Sequence, residues 1–235
     1  MTQIEFALHE IEQNGNLSTK ELKALKAVFS AHEKRMQQKF PNYNLFITGT
    51  GQSYGLKIQK IITDSFNDLS NLGGSGIYDA TCTSNNLRIE IKSVKALKGN
   101  SNDYIGSRII NLNECAHLAG SFQQVKPLTC DWFIFHILYG NGERLFLVPS
   151  SIISKTPKMA NGEVGKIALS GQHRGHKTEG QVNIGQILSR ADLFEIPNYD
   201  HNKEKFYNFA NLQNIICSRF GKKTSDNDEW LLPQD

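Results

Sequence analysis

Gly76-Ile77-Tyr78-Asp79-Ala80-Thr81-Cys82-Thr83-Ser84-Asn85-Asn86-Leu87-Arg88-Ile89-Glu90-Ile91-Lys92-Ser93-Val94-Lys95 is the stretch on which the fold turns. Ile77 to Thr83 reads as a strand, Ser84-Asn85-Asn86 as a turn, and Leu87 to Val94 as a second strand, since turn-forming residues separate two runs of strand-forming ones. Successive side chains on a strand face opposite sides. Ile89 and Ile91 therefore share one face, assigned to the core, and Glu90 and Lys92 share the other. If the turn pairs the two strands, Asp79 comes alongside Glu90. Two carboxylates and an ammonium then converge on one exposed patch.

Upstream the period is helical. Ile4, Leu8 and Ile11 recur at helical spacing until Gly15, and Ser18 with Glu21 three residues later forms a capping-box pattern. That box opens a long helix through Leu22, Leu25, Val28, Phe29 and Met36, which Pro41 stops. A further helix is expected from about Tyr54 to Leu69. Downstream, a basic Gly/Asn-rich loop covers Lys95 to Asn113, and a helix is expected from about Leu112 to Gln124. Trp132 to Leu138 is nearly all apolar, as in a strand buried on both faces. Asn141-Gly142 signals a hairpin that returns Leu145 to Val148. Residues 155–190 are loop-rich, and Phe206 to Phe220 reads as a last amphipathic helix. The order predicts a mixed α/β fold in one domain over residues 1–235. Its parts are an N-terminal helical region (1–53), a central α/β region (54–148) and a loop-rich region with the C-terminal helix (149–235).

The chain has 235 residues, 39% hydrophobic, with a net charge of +3, which suits a packed domain and argues against disorder. No apolar run is long enough to span a membrane, and Met1 to Glu5 does not resemble a secretion signal. Cys82, Cys115, Cys130 and Cys217 are far apart and form no CxxC pair, as in a reduced, cytoplasmic protein. No phosphate-binding Gly-rich loop and no G-x-S-x-G elbow is present. The charge is uneven. Arg88 to Arg108 holds five basic residues against two acidic ones, as does Lys155 to Glu179, whereas Lys222 to Asp235 has two lysines against four acids. Two basic loops suit a polyanion held in a cleft, although charge runs also simply solvate surfaces.

The Asp79–Glu90–Lys92 patch has the donors that metal-assisted phosphodiester hydrolysis needs. Mg²⁺ prefers oxygen ligands, and Asp79, Glu90 and the backbone carbonyl of Ile91 can supply them. Lys92 can orient the attacking water or stabilise charge on the phosphate. Two close carboxylates repel without a cation or a shared proton. Glu21-Leu22-Lys23 has the same E-x-K spacing but lies on the predicted long helix with no aspartate upstream.

Asp79 with Glu90-Ile91-Lys92 resembles the motif of the PD-(D/E)XK nuclease superfamily, and within it the type II restriction endonucleases. Tyr78 stands where that family has proline. The resemblance covers mainly residues 54–148, which it implies are the catalytic core, with DNA-recognition loops and the C-terminal helix in 149–235. It implies a restriction-endonuclease-like core, a mixed β-sheet flanked by helices. It also implies Mg²⁺ (with Mn²⁺ as a substitute) on Asp79 and Glu90, with Lys92 assisting the water. The expected activity is cleavage of double-stranded DNA at a specific short site. The expected partners are a second copy of the chain, since a two-strand cut usually requires two sites, and a cognate DNA methyltransferase that spares the host.

DNA contacts are expected from Lys95, Lys98, Asn102 and Arg108 in the first loop, and from Gln172, His173, Arg174, His176, Lys177, Gln181 and Asn183 in the second. These are side-chain types that read base edges or hold phosphate. Gln59 and Asp64, on the helix before the motif, and Gln123 and Gln124, before the buried strand, are further candidates. Three rival readings stand beside this one. They are a structure-specific or repair nuclease with the same site, a non-catalytic DNA-binding module whose hairpin charges only meet solvent, and a protein-interaction domain with no DNA affinity.

Overall fold

A computed structural model describes residues 3–15, 17–48, 51–73, 77–98, 108–117, 120–154, 167–170 and 180–221. Asn102, Gln172, His173, Arg174, His176 and Lys177 lie outside these residues.

The chain opens with α1 (Gln3–Asn14) and α2 (Thr19–Lys39). The Ser18/Glu21 capping box is formed, with the Glu21 carboxylate 2.8 Å from the Ser18 N–H. No residue of α2 is buried. After the short α3 (Tyr43–Phe46) comes α4 (Gly51–Asp64), whose Tyr54, Ile58 and Ile62 enter the core. The hairpin strands follow, β1 (Leu69–Asn71), β2 (Ala80–Cys82) and β3 (Arg88–Lys95), then the short pair β4 (Leu97–Lys98) and β5 (Arg108–Ile109). A 3-10 turn (Leu112–His117) leads to β6 (Ser121–Val125), β7 (Trp132–Tyr139) and β8 (Gly142–Pro149). The remainder is β9 (Ile153–Ser154), β10 (Ile167–Ala168), β11 (Gly180–Asn183), α5 (Ile184–Leu188), α6 (Ala191–Phe194), β12 (Glu195–Ile196) and α7 (Phe209–Gly221). No helix among the described residues is long and apolar enough to cross a membrane.

Among the described residues the main sheet has six strands in the order β1-β2-β3-β7-β8-β12. Its β3–β7 pair is parallel and every other pair antiparallel, so the fold is mixed α/β with a mixed sheet flanked by helices. All eight residues of β7 are buried. Burying one Ile or Phe side chain there contributes roughly 1.5–3 kcal/mol, which makes the β7–β8 hairpin the spine of the core.

The parallel register sets Glu90 beside Phe133 and Lys92 beside Phe135 on one sheet face, and Ser93 beside His136 on the other. α4 lies on the Ser93 face, where the Tyr54 hydroxyl meets Ser93 Oγ at 2.9 Å. The antiparallel ribbon β6–β11 lies on the Glu90 face, where Phe122 and Phe135 pack with ring centroids 4.6 Å apart.

Four expected boundaries move, the first being that of the strand expected over Ile77–Thr83, which covers only Ala80–Cys82. The helix expected to reach Leu69 ends at Asp64, because Leu69 is recruited into β1 and the Asp68 carboxylate caps α7 through the N–H groups of Phe209 (2.7 Å) and Ala210 (3.0 Å). The helix expected over 112–124 is a 3-10 turn followed by a strand. Phe122 and Val125 are both buried and three residues apart, which mimics a helical period. The spacing arises instead from a register shift in the β6–β11 pairing, where Gly180 faces Val125 but Val182 faces Phe122. The last helix starts at Phe209 rather than Phe206, whose side chain is exposed.

Candidate active site

The motif turn forms as expected, with Asn86 in the left-handed region (φ 58°) closing it. Asp79 sits one residue before β2, its own N–H bonded to Ile89 O at 3.0 Å. Its carboxylate Oδ2 accepts the Ile91 N–H at 2.8 Å. A residue's N–H and C=O leave a strand on the same edge, so the Ile91 carbonyl lies on the edge that Asp79 lines.

Glu90 and Lys92 share the opposite side from Ser93, and the Lys92 ammonium contacts Glu90 Oε1 at 2.5 Å. The expected exposed patch is instead a recess, since the Glu90 side chain is 8% exposed and that of Lys92 17%. The β6–β11 ribbon accounts for this, because it covers the face that the hairpin alone would leave open.

Burial raises the pKa of both carboxyl groups. For Asp79 the Ile91 N–H, Lys92 and Lys126 oppose that rise. For Glu90 the nearby Asp79 charge adds to it, while Lys92 and Lys126 oppose it. Lys126, just after β6, was not among the sequence candidates. It stands in an ordinary Lys-Pro turn, and only the tertiary fold carries its charge toward both carboxylates. Cys130 is buried, its thiol pushed up to about 12 by burial and by the Glu90 charge.

Gln59 joins the site through the backbone. It is buried on α4, and its amide nitrogen donates to the Asp79 carbonyl at 3.1 Å, fixing the residue that carries the carboxylate. Asp64 does not join, because its carboxylate pairs with Lys60 at 2.7 Å on the solvent side of the helix.

The other described candidates disperse. Lys95 points to the α4 side, where its ammonium donates to the Phe46 carbonyl at 2.7 Å and sits 4.3 Å over the Tyr54 ring. Burial lowers its pKa to about 8. Lys98 and Arg108 face each other across β4–β5, and Arg108 pairs with Glu114. Gln181 and Asn183 lie on β11 in the ribbon over the Glu90 face. The Asn183 side-chain oxygen caps α5 through the Gly185 N–H at 2.7 Å. Gln123 and Gln124 are exposed on β6.

A second polar cluster was not anticipated. Ser93 Oγ lies 2.8 Å from His136 Nδ1, His136 Nε2 lies 2.7 Å from Glu143 Oε2, and Glu143 Oε1 receives the backbone N–H and ring Nδ1 of His201, each at 2.6 Å. Tyr54 extends the chain at its inner end. His136 inside the apolar run Trp132–Leu138 was the available signal, since a buried imidazole needs partners. Serine, histidine and carboxylate in sequence suggest a nucleophile relay, but the His136 side chain is 1% exposed and that of Glu143 5%. Glu143, Asp200 and His201 bring three ligand-type atoms within 4.8 Å of one another. The Glu143 oxygens there are already occupied by N–H groups and the His136 ring.

No family model matches the chain, and no curated protein is significantly similar to it.

Proposed function

We propose that the protein is a Mg²⁺-dependent endodeoxyribonuclease with a restriction-endonuclease-like core, cutting double-stranded DNA at a specific short site. The observation that carries this reading is the convergence of Asp79, Glu90 and Lys92 at the β2–β3 edge, with the Ile91 N–H bonded to the Asp79 carboxylate. Two desolvated carboxylates of raised pKa are a costly arrangement unless a cation neutralises them. Lys92, at 2.5 Å from Glu90, partly fills that role.

The donor set fits a hard divalent ion. Asp79, Glu90 and the Ile91 carbonyl would hold it as three oxygen donors. When bound, Mg²⁺ supplies polarisation of the scissile phosphate and a more acidic water. The protein's own residues do the rest. Gln59 and the Ile91 N–H fix the Asp79 backbone and carboxylate, so the site is organised before substrate arrives. Lys92, released from Glu90, places its ammonium where negative charge develops on the phosphate. The β6–β11 layer limits solvent access and strengthens that electrostatic contact. Cutting both strands calls for two copies of the chain.

The test is a digest of plasmid and phage DNA with Mg²⁺, with EDTA and Asp79→Ala as controls. Discrete fragments that disappear in both controls support the reading. A smear removes the sequence specificity. DNA left intact but shifted on a gel, with binding kept in Asp79→Ala, favours a non-catalytic binding module. Salt-independent behaviour with no DNA affinity favours a protein-interaction domain.

A further inference from the structure

The β6–β11 pairing is irregular at one place. β6 and β11 pair with Gly180 opposite Val125 and Val182 opposite Phe122, so β6 carries one residue more than its partner between these pairs. The extra residue falls at Gln123–Gln124. Phe122 and Val125 remain buried on either side, so the bulge turns both intervening glutamines outward where a regular strand would bury one. Gln124 adopts φ 54°, a left-handed conformation that is strained for a non-glycine residue and that glycine would adopt freely.

Bulges re-aim side chains and concentrate beside active sites. This one interrupts the ribbon on the Glu90 face, next to Phe122, which packs on Phe135, the register neighbour of Lys92, and two residues before Lys126. A strained backbone is held here with a side chain that both donates and accepts hydrogen bonds.

We propose that the bulged pair Gln123–Gln124, carried on the β6–β11 ribbon beside Asp79, Glu90 and Lys92, reads base edges next to the scissile phosphate. The inference rests on the nuclease reading above. A two-stranded ribbon fits the major groove, and a glutamine amide pairs bidentately with adenine N7 and N6. A base edge can engage both the donor and the acceptor of the amide, whereas a phosphate offers acceptors only. Lys126 supplies the cation on the same turn. Gln181, opposite the bulge, extends the polar surface of the ribbon.

The experiment compares the wild-type chain with Gln123→Ala/Gln124→Gly, in which glycine keeps the left-handed backbone. Gln124→Asn is the second variant. Asparagine tolerates the same φ but withdraws the amide by one methylene. Each is assayed with Mg²⁺ on the mapped site and on duplexes changed at single base pairs, with thermal unfolding recorded alongside. The expected result is a kcat/KM on the mapped site lower by roughly 10- to 100-fold, with the discrimination against one changed pair falling by a similar factor. Both variants should melt within a few degrees of wild type. Unchanged discrimination in two folded variants overturns this inference and leaves the nuclease reading intact. A wild-type protein that cuts without sequence preference overturns it as well. A wild-type protein that never cuts overturns both.

Discussion

The two faces of β3 carry two buried polar clusters that differ in how their charges are satisfied. On the α4 side, Tyr54, Ser93, His136, Glu143 and His201 form a continuous chain of hydrogen bonds. Burial alone would raise the Glu143 pKa, but the bonds from His136 and His201 hold it down at about 2. On the ribbon side, Asp79 and Glu90 have fewer partners and each other's charge, and both are raised. The first cluster is complete without a ligand. In the second, Lys92 and Lys126 oppose the rise but do not cancel it. Burial is common to both, so the two clusters differ in the direction of the carboxyl shift.

That distinction can be broken most severely at Asp79. Asp79→Asn keeps an oxygen for the Ile91 N–H but removes one of the two negative charges. Cleavage should fall by roughly 10³-fold or more in a single-turnover DNA assay, while thermal unfolding shows a change within about 1 kcal/mol. The mirror substitution, Glu143→Ala, should leave cleavage by the folded protein nearly intact. It should destabilise the chain by about 3–5 kcal/mol in denaturant titration, because His136 and His201 lose their common acceptor.

The pH dependence sharpens the comparison. The folded pKa of Glu143 lies below its ordinary value, so its stabilisation is present above about 4.5 and is lost as pH falls toward about 2. That loss is on the order of 3 kcal/mol. His201 is raised by Glu143, so its contribution is present below about 6.5 and is lost as pH rises through the folded value. Asp79 and Glu90 shift the other way. Their ionisation costs stability once pH rises above their ordinary values and through the raised ones. Mg²⁺ should remove that cost at neutral pH. Calorimetry should show a rise in Tm corresponding to about 2–3 kcal/mol at 100 times the dissociation constant, absent in Asp79→Asn. The smallest expected effect is Ser93→Ala, which opens the structural chain at one link. It should cost about 1–3 kcal/mol in denaturant titration, with no change in cleavage rate.

The sequence made the local parts of this arrangement legible. Period-two alternation separated Glu90 and Lys92 from Ile89 and Ile91, and turn chemistry set the hairpin that brings in Asp79. The apolar run found β7, and the capping box found the start of α2. What could not be read depends on distant segments. Glu90 is buried because β6 and β11 cross the hairpin face, and those strands are 55 or more residues apart in sequence. Lys126 reaches the site through the same crossing. Phe122 and Val125 misled because a bulge gave a strand the apolar spacing of a helix. His201 joins Glu143 across 58 positions, with no local signal on either side.

The most direct measurement is the single-turnover rate of DNA cleavage in Mg²⁺ for Glu90→Gln and Glu143→Gln, each assayed well below its own Tm. The account predicts that Glu90→Gln remains folded and loses cleavage, while Glu143→Gln melts lower and cuts at close to the wild-type rate. Full cleavage by Glu90→Gln, or its loss in a folded Glu143→Gln protein, would contradict the assignment of chemistry to the ribbon-side cluster.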